Sequence, residues 1–268
     1  MTTRICFIGN SHLAALREAW SRDPAQWPGL QASFVGAHKD LLLQTEVRDG
    51  RLIPATDDAR QSFGKISGVS DVVLDHHDVF VIVGSGVALA TALMIYRDAR
   101  WVGLPSLAQC CDLATMPEQL ISRPAAMASM TAGLDNRLGP RLIRHLRHGT
   151  NRPIYLTSQP RVSQIILQSP QPVTRLHNIA LRNGDSQALS AAFDAAAAAV
   201  LTNAGATFIP QPAETIARDL FTALAYVKGA HRLAATMGLP QAKDDVKHAN
   251  AIYGALVLDQ IAAAVYPT

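Results

Sequence analysis

The five residues Val79-Phe80-Val81-Ile82-Val83 form an unbroken apolar run, closed by Gly84-Ser85-Gly86. A strand with one wet face alternates apolar and polar side chains. A run without alternation is buried on both faces, as happens when helices cover a parallel sheet on its two sides. This run therefore points to a layered α/β arrangement, and four further segments read as its neighbours. Arg4 to Ile8 is a short apolar strand ended by Gly9-Asn10, and Gln31 to Val35 is a second that stops at Gly36. Pro153 to Thr157 and Ala206 to Ile209 supply two more. Between them lie helical segments: Ser11 to Ser21 with Leu13, Leu16 and Trp20 at helical spacing, then Ala88 to Arg97, Arg137 to His148 and Gln187 to Asn203. Glu214 to Met237 reads as mainly helical. A final helix opens at Asp244 with a stripe through Ile252, Leu256, Ile261 and Val265. Strands alternating with helices make a parallel sheet with helices on both faces.

The chain shows no repeat, linker or boundary, so residues 1–268 read as one domain with excursions at about 37–77 and 101–136. The first excursion carries a hairpin, because Asp49-Gly50 between two apolar runs is a strong turn signal. The second is interrupted by Pro105, Pro117 and Pro124, a composition suited to a lid or substrate wall. Ser163 to Gly184, polar and proline-bearing, reads as a surface loop.

Charge and cysteines narrow the function classes. The net charge is only +3. The basic residues Arg137, Arg141, Arg144 and Arg147, with His145 and His148, make a solvated helix face, and no nucleic-acid partner is expected. Cys6 falls in the first strand and reads as buried. Cys110-Cys111 have no metal-site spacing, and three cysteines without a framework fit a reducing, cytoplasmic setting. His76 and His77, at the far end of the central strand, read as surface residues and not as metal ligands. Met1-Thr2-Thr3 leads straight into a strand without a signal-peptide pattern, and the alanine-rich run from Ala195 to Leu201 is too short to span a bilayer, so no membrane insertion is expected. Neither a Gly-x-Gly-x-x-Gly after the first strand nor a Walker lysine is present. No nucleotide, other cofactor or metal is expected.

Two motifs at opposite ends of the chain carry the candidate chemistry. Ser11 sits where the first strand hands over to a helix, at the carboxyl end where open α/β sheets place their crevice. A serine there either caps the helix or attacks a substrate. Far downstream, Asp245 and His248 are three residues apart, which on a first helical turn sets a carboxylate beside an imidazole. Asp244 reads as the helix cap. A serine, an imidazole base and an orienting carboxylate are the three roles of a hydrolytic triad, whatever their order in the chain.

The segment Gly9-Asn10-Ser11-His12, the Asp-x-x-His of Asp245 and His248, and the following Ala249-Asn250 with Tyr253-Gly254 together resemble the SGNH (GDSL-like) hydrolase superfamily. That resemblance implies a single-domain, doubly wound, five-stranded parallel sheet in the flavodoxin-like order 2-1-3-4-5. It implies Ser11 as nucleophile, His248 as base and Asp245 as its orienting acid. It also implies an oxyanion hole from the backbone N–H groups of Ser11 and Gly36 plus an asparagine after the third strand. Here Gly86 stands where that asparagine aligns, and Ser85 is the expected substitute donor. Asn250 is expected to be structural, so Ser85→Ala should cost more turnover than Asn250→Ala. Gln159 and Arg161, just past the fourth strand at the crevice end, are candidate substrate contacts. The implied function is a serine esterase acting on a small acyl ester, such as an O-acetylated carbohydrate, through an acyl-enzyme. The alternatives are an O-acyltransferase of polysaccharide biosynthesis with the same residues, or a non-catalytic glycan-binding or scaffold protein of the same fold.

Overall fold

Side chains along each central strand alternate between two apolar cores, and this alternation sets the layers. The computed structural model describes residues 2–109, 119–168, 172–234, 239–242 and 244–266. In chain order the framework is β1 (Thr3–Gly9), α1 (Leu13–Arg22), β2 (Leu30–Gly36), α2 (Asp57–Ser67), β3 (Val79–Val83), α3 (Ala90–Asp98), α4 (Arg123–Asp135), α5 (Leu138–Arg147), β4 (Ile154–Thr157), α6 (Pro172–Arg182), α7 (Ser186–Asn203), β5 (Thr207–Ile209) and α8 (Ala251–Val265). The strands form one five-stranded parallel sheet ordered β2-β1-β3-β4-β5, the order the resemblance implies. Cys6, Ile8, Phe80, Ile82 and Leu156 face one core, under α2 to α5 and α7. Ile5, Phe7, Val79, Val81 and Ile209 face the other, under α1 and α8. Both faces of β3 are therefore dry, which is why its sequence carries no polar residue. Burial pushes the Cys6 thiol up to about 12, so it is an inert core group. Cys110-Cys111 lie outside the described residues.

The amino-terminal ends of the adjacent strands β1 and β3 are tied by Arg4 and Asp78. The Arg4 guanidinium donates to both Asp78 carboxylate oxygens at 2.8 and 3.0 Å, and the Arg4 N–H donates to one of them at 2.9 Å. This holds the Asp78 carboxyl well below the usual carboxylate range. The expected hairpin is present, Thr45–Arg48 against Arg51–Pro54, with Val72–Val73 added as a third strand. His76 is exposed, but His77 is half-buried and bonds Ser33 Oγ at 2.9 Å and the Val73 carbonyl at 3.0 Å. The basic face of α5 is partly self-satisfied: Arg144 pairs with Asp135, and Arg147 donates to the carbonyls of Arg152 and Gly205. Among the described residues no helix is long and apolar enough to cross a membrane.

Three expectations fail. The stretch after Ser163 is not all loop, since α6 lies within it. Its buried stripe is Thr174, His177 and Ala180, polar enough to hide the helical period. Glu214 to Met237, as far as it is described, contains no α-helix, only the short 3-10 turns Ala213–Thr215 and Leu224–Tyr226. It folds into a two-stranded ribbon, Ile216–Ala217 against Phe221–Thr222, turned by Arg218 and Asp219 at positive φ. Buried Gln211 organises the ribbon by donating to Thr215 Oγ1 and Thr222 Oγ1. Finally, α8 begins at Ala251 and not at Asp244. Its inward side is Tyr253, Gly254, Val257, Leu258 and Ile261, while Ile252 is 57% exposed. Gly254 is packed so closely on α1 that a Cβ there would stand 2.1 Å from the Ala15 carbonyl oxygen. Close backbone approach of this kind requires glycine.

Candidate active site

Ser11 follows β1 in the turn that leads to α1. It does not cap that helix. The capping position is His12, which makes no side-chain capping bond, and Asn10 Oδ1 accepts the His12 N–H at 3.2 Å. The Ser11 hydroxyl instead lies 2.9 Å from His248 Nε2. The other imidazole nitrogen, Nδ1, lies 2.9 Å from Asp245 Oδ2. A carboxylate only accepts, so Nδ1 carries the proton and Nε2 is left to accept from Ser11. The three candidate catalytic residues, 237 positions apart at their extremes, form one hydrogen-bonded line.

The local reason for the Asp245–His248 geometry differs from the expected helical turn. These residues lie on a loop before α8, and the Asp245 carboxylate closes that loop on itself. It accepts from the Lys247 N–H at 3.1 Å and the His248 N–H at 3.3 Å as well as from the His248 ring. Such local bonding is the reason Asp favours turns. Asp244 is exposed and caps nothing, since the cap of α8 is Asn250. Asn250 Oδ1 accepts from Ile252 and Tyr253, and its Nδ2 donates to the carbonyls of Ala225 and Lys228. Asn250 is thus structural, as expected, and it anchors the loop two residues beyond His248.

The sequence motif did not reveal what backs the base. The His12 ring stacks on the His248 ring at 5.0 Å with 26° between the planes. Gln159 donates its amide to His12 Nε2 at 2.7 Å, which leaves the ring proton on Nδ1. His12 Nδ1 is out of solvent and has no partner among the described residues. Burial, then the neighbouring charge of His248, pushes the His12 pKa down to about 3. His12 is therefore a neutral wall behind the base. The only sequence signal was its place beside Ser11. Gln159, expected to meet substrate, is the clamp on this wall. Gly84, at φ +69, gives both side chains room, since a Cβ there would sit 3.2 Å from each.

Two oxyanion donors expected from the resemblance are committed elsewhere. The Gly36 N–H donates to Ser67 Oγ at 2.7 Å. Ser85 is fully buried, and its hydroxyl donates to the Val83 carbonyl at 3.1 Å, supporting a backbone held at φ +47. Residues 84–86 all have positive φ, a conformation that disfavours any side chain with a Cβ at Gly86. The Ser11 N–H has no protein acceptor among the described residues, and it lies at the positive end of α1. Arg161 also departs from expectation. It is 5% exposed, with its guanidinium bonded to the Asp219 carbonyl and Ser190 Oγ and 3.6 Å from Asp194. Burial lowers its pKa, and its charge serves the protein interior more than the crevice.

Comparison of the chain with models of protein families, with curated proteins and with solved structures finds no match.

Proposed function

We propose that this chain is a serine hydrolase of acyl esters, built on the plan of the SGNH hydrolases. The observation that carries the reading is the continuous line Ser11–His248–Asp245, with both bonds at 2.9 Å. In this reading Ser11 Oγ attacks the ester carbonyl while His248 Nε2 takes its proton. Asp245 holds the ring in the correct tautomer and stabilises the imidazolium that forms. The tetrahedral intermediate collapses as His248 passes the proton to the leaving alcohol. Water, activated by the same base, then frees the acyl group from Ser11. Transfer to another acceptor would differ only in what attacks the acyl-enzyme. The Ser11 N–H is the oxyanion donor this geometry leaves open, so the enzyme is expected to be slow beside one with three donors, each worth about 10²–10³ in turnover. A cytoplasmic setting belongs to the same reading and rests on the cysteine pattern.

A fluorophosphonate probe followed by peptide mapping tests it. Label is expected on Ser11, with none in folded Ser11→Ala and with labelling at least about 10²-fold slower in His248→Ala. Wild-type protein that stays unlabelled would overturn the hydrolase reading and favour a binding protein of this fold.

A further inference from the structure

A cavity of about 300 Å³ is bordered by His12 and Lys247, the chain neighbours of Ser11 and His248, while the three triad residues themselves are not among its lining. The His12 ring backs His248. Most of the remaining wall is apolar, from Leu89 and Leu93 on the α3 side, Pro160 and Val162 after β4, and Leu220. Leu89, Leu93 and Leu220 are almost fully buried and supply most of the floor; its polar members are Gln159, bonded to His12, and the buried His177. The one guanidinium in the wall, that of Arg161, is turned to protein partners. The volume equals roughly ten water molecules, far more than a methyl group needs.

Resting on the esterase reading, we infer that this cavity receives the leaving-alcohol portion of the ester, and that this portion is apolar. The direction follows from the chemistry of the base. His248 must deliver its proton to the leaving oxygen, so that oxygen and its substituent lie on the His248 side of Ser11. The cavity bordered by His12 and Lys247 is on that side, among the loops that follow β3 and β4. The loop after β2, where Gly36 lies, contributes nothing to it. A larger cavity of about 480 Å³ touches the triad only at Asp245 and is bordered by Ile165, Leu224 and Val227. It reaches neither His12 nor Lys247 and adjoins the catalytic line at the Asp245 end, the end away from Ser11.

The test compares acetate esters of methanol, butanol and hexanol. Each added methylene buried in the cavity should raise kcat/KM about fourfold. Alcohol acidity barely changes from butanol to hexanol, so the trend reads binding. Ala90→Trp, at the exposed rim of the cavity, should flatten the series; Ile165→Trp, at the exposed rim of the larger cavity, should leave the series intact. Independently of turnover, hexanol should shift the methyl resonances of Leu93, Val162 and Leu220 in wild-type protein but not in Ala90→Trp, and methanol should shift neither. Chain-length selectivity confined to the acyl side, or hexanol that leaves these methyls unmoved, overturns the inference. Hexanol bound at these methyls in a protein whose Ser11 is inert would instead sink the esterase reading and leave the apolar-alcohol site standing.

Discussion

The imidazoles of His12 and His248 lie face to face, 5.0 Å apart, and only one of them is placed to bond the nucleophile. The other is neutral, clamped by Gln159 and pushed down to about pH 3 by burial. This has a consequence for stability. An unfolded histidine titrates near about 6.5. Between that value and about 3 the unfolded chain binds a proton at His12 that the folded chain refuses. Stability therefore rises with pH across this window, is fully present above about 6.5 and is lost as pH falls. His12→Phe keeps a ring against His248 and removes the titration. Its denaturation midpoint should depend less steeply on pH, by up to about one proton. His77 and His145, also shifted down by burial, contribute the same sign in both proteins and cancel. Parallel stability curves for wild type and variant would refute a buried neutral His12.

Asp245 and its neighbour Asp244 have opposite surroundings. Asp245 accepts three bonds from Lys247 and His248, whereas Asp244 is exposed. Asp245→Asn should lower turnover by about 10²–10⁴, because an amide can hold the ring in the wrong tautomer. Asp244→Asn should stay within about twofold of wild type. Equal losses in steady-state ester cleavage would contradict the assignment.

Ser85 and Asn250 are expected to rank in the opposite order to the one the motif alone suggests. Ser85→Ala removes one neutral bond to the Val83 carbonyl, worth about 1 kcal/mol. Asn250→Ala removes the cap of α8 and orphans the two carbonyls that its amide satisfies. It should destabilise by about 2–4 kcal/mol and slow turnover by loosening the loop that carries His248. Urea denaturation together with ester cleavage on both variants decides the order. A Ser85→Ala enzyme slower than Asn250→Ala would restore Ser85 to the oxyanion hole.

Gly254 sits where α8 is packed directly on α1. It lies four residues into α8, against Ala15 of α1, and these helices lead from His248 and Ser11 respectively. Gly254→Ala forces a methyl onto the Ala15 backbone, an overpacking that costs about 1–3 kcal/mol or more. Separation of the helices to admit that methyl is expected to lengthen the Ser11–His248 bond. Lower thermal stability together with fluorophosphonate labelling slowed at least about tenfold is expected. A stable variant labelled at the wild-type rate would show that the helix contact does not govern the site.

What was legible in the chain followed from short-range physics. The apolar run of β3, the strand-to-helix switch at Ser11 and the alternation of strands with helices each depend on side chains within a few positions of one another. They sufficed for a parallel sheet with helices on both faces and for placing Ser11 at its carboxyl end; the strand order and the joint roles of Ser11, Asp245 and His248 came from the resemblance. What only the tertiary structure decided concerns partners distant in sequence. Gly36 looked like an open donor until Ser67, on α2, was found to take its N–H. Ser85 looked free until its hydroxyl proved to be folded back on Val83 in a left-handed turn. His12 had no assigned part until Gln159, 147 residues later, held its ring against His248. A local pattern specifies which groups a segment can offer. Whether those groups remain available depends on which distant donors and acceptors the packed fold brings beside them, because a buried polar group takes whatever partner lies within reach.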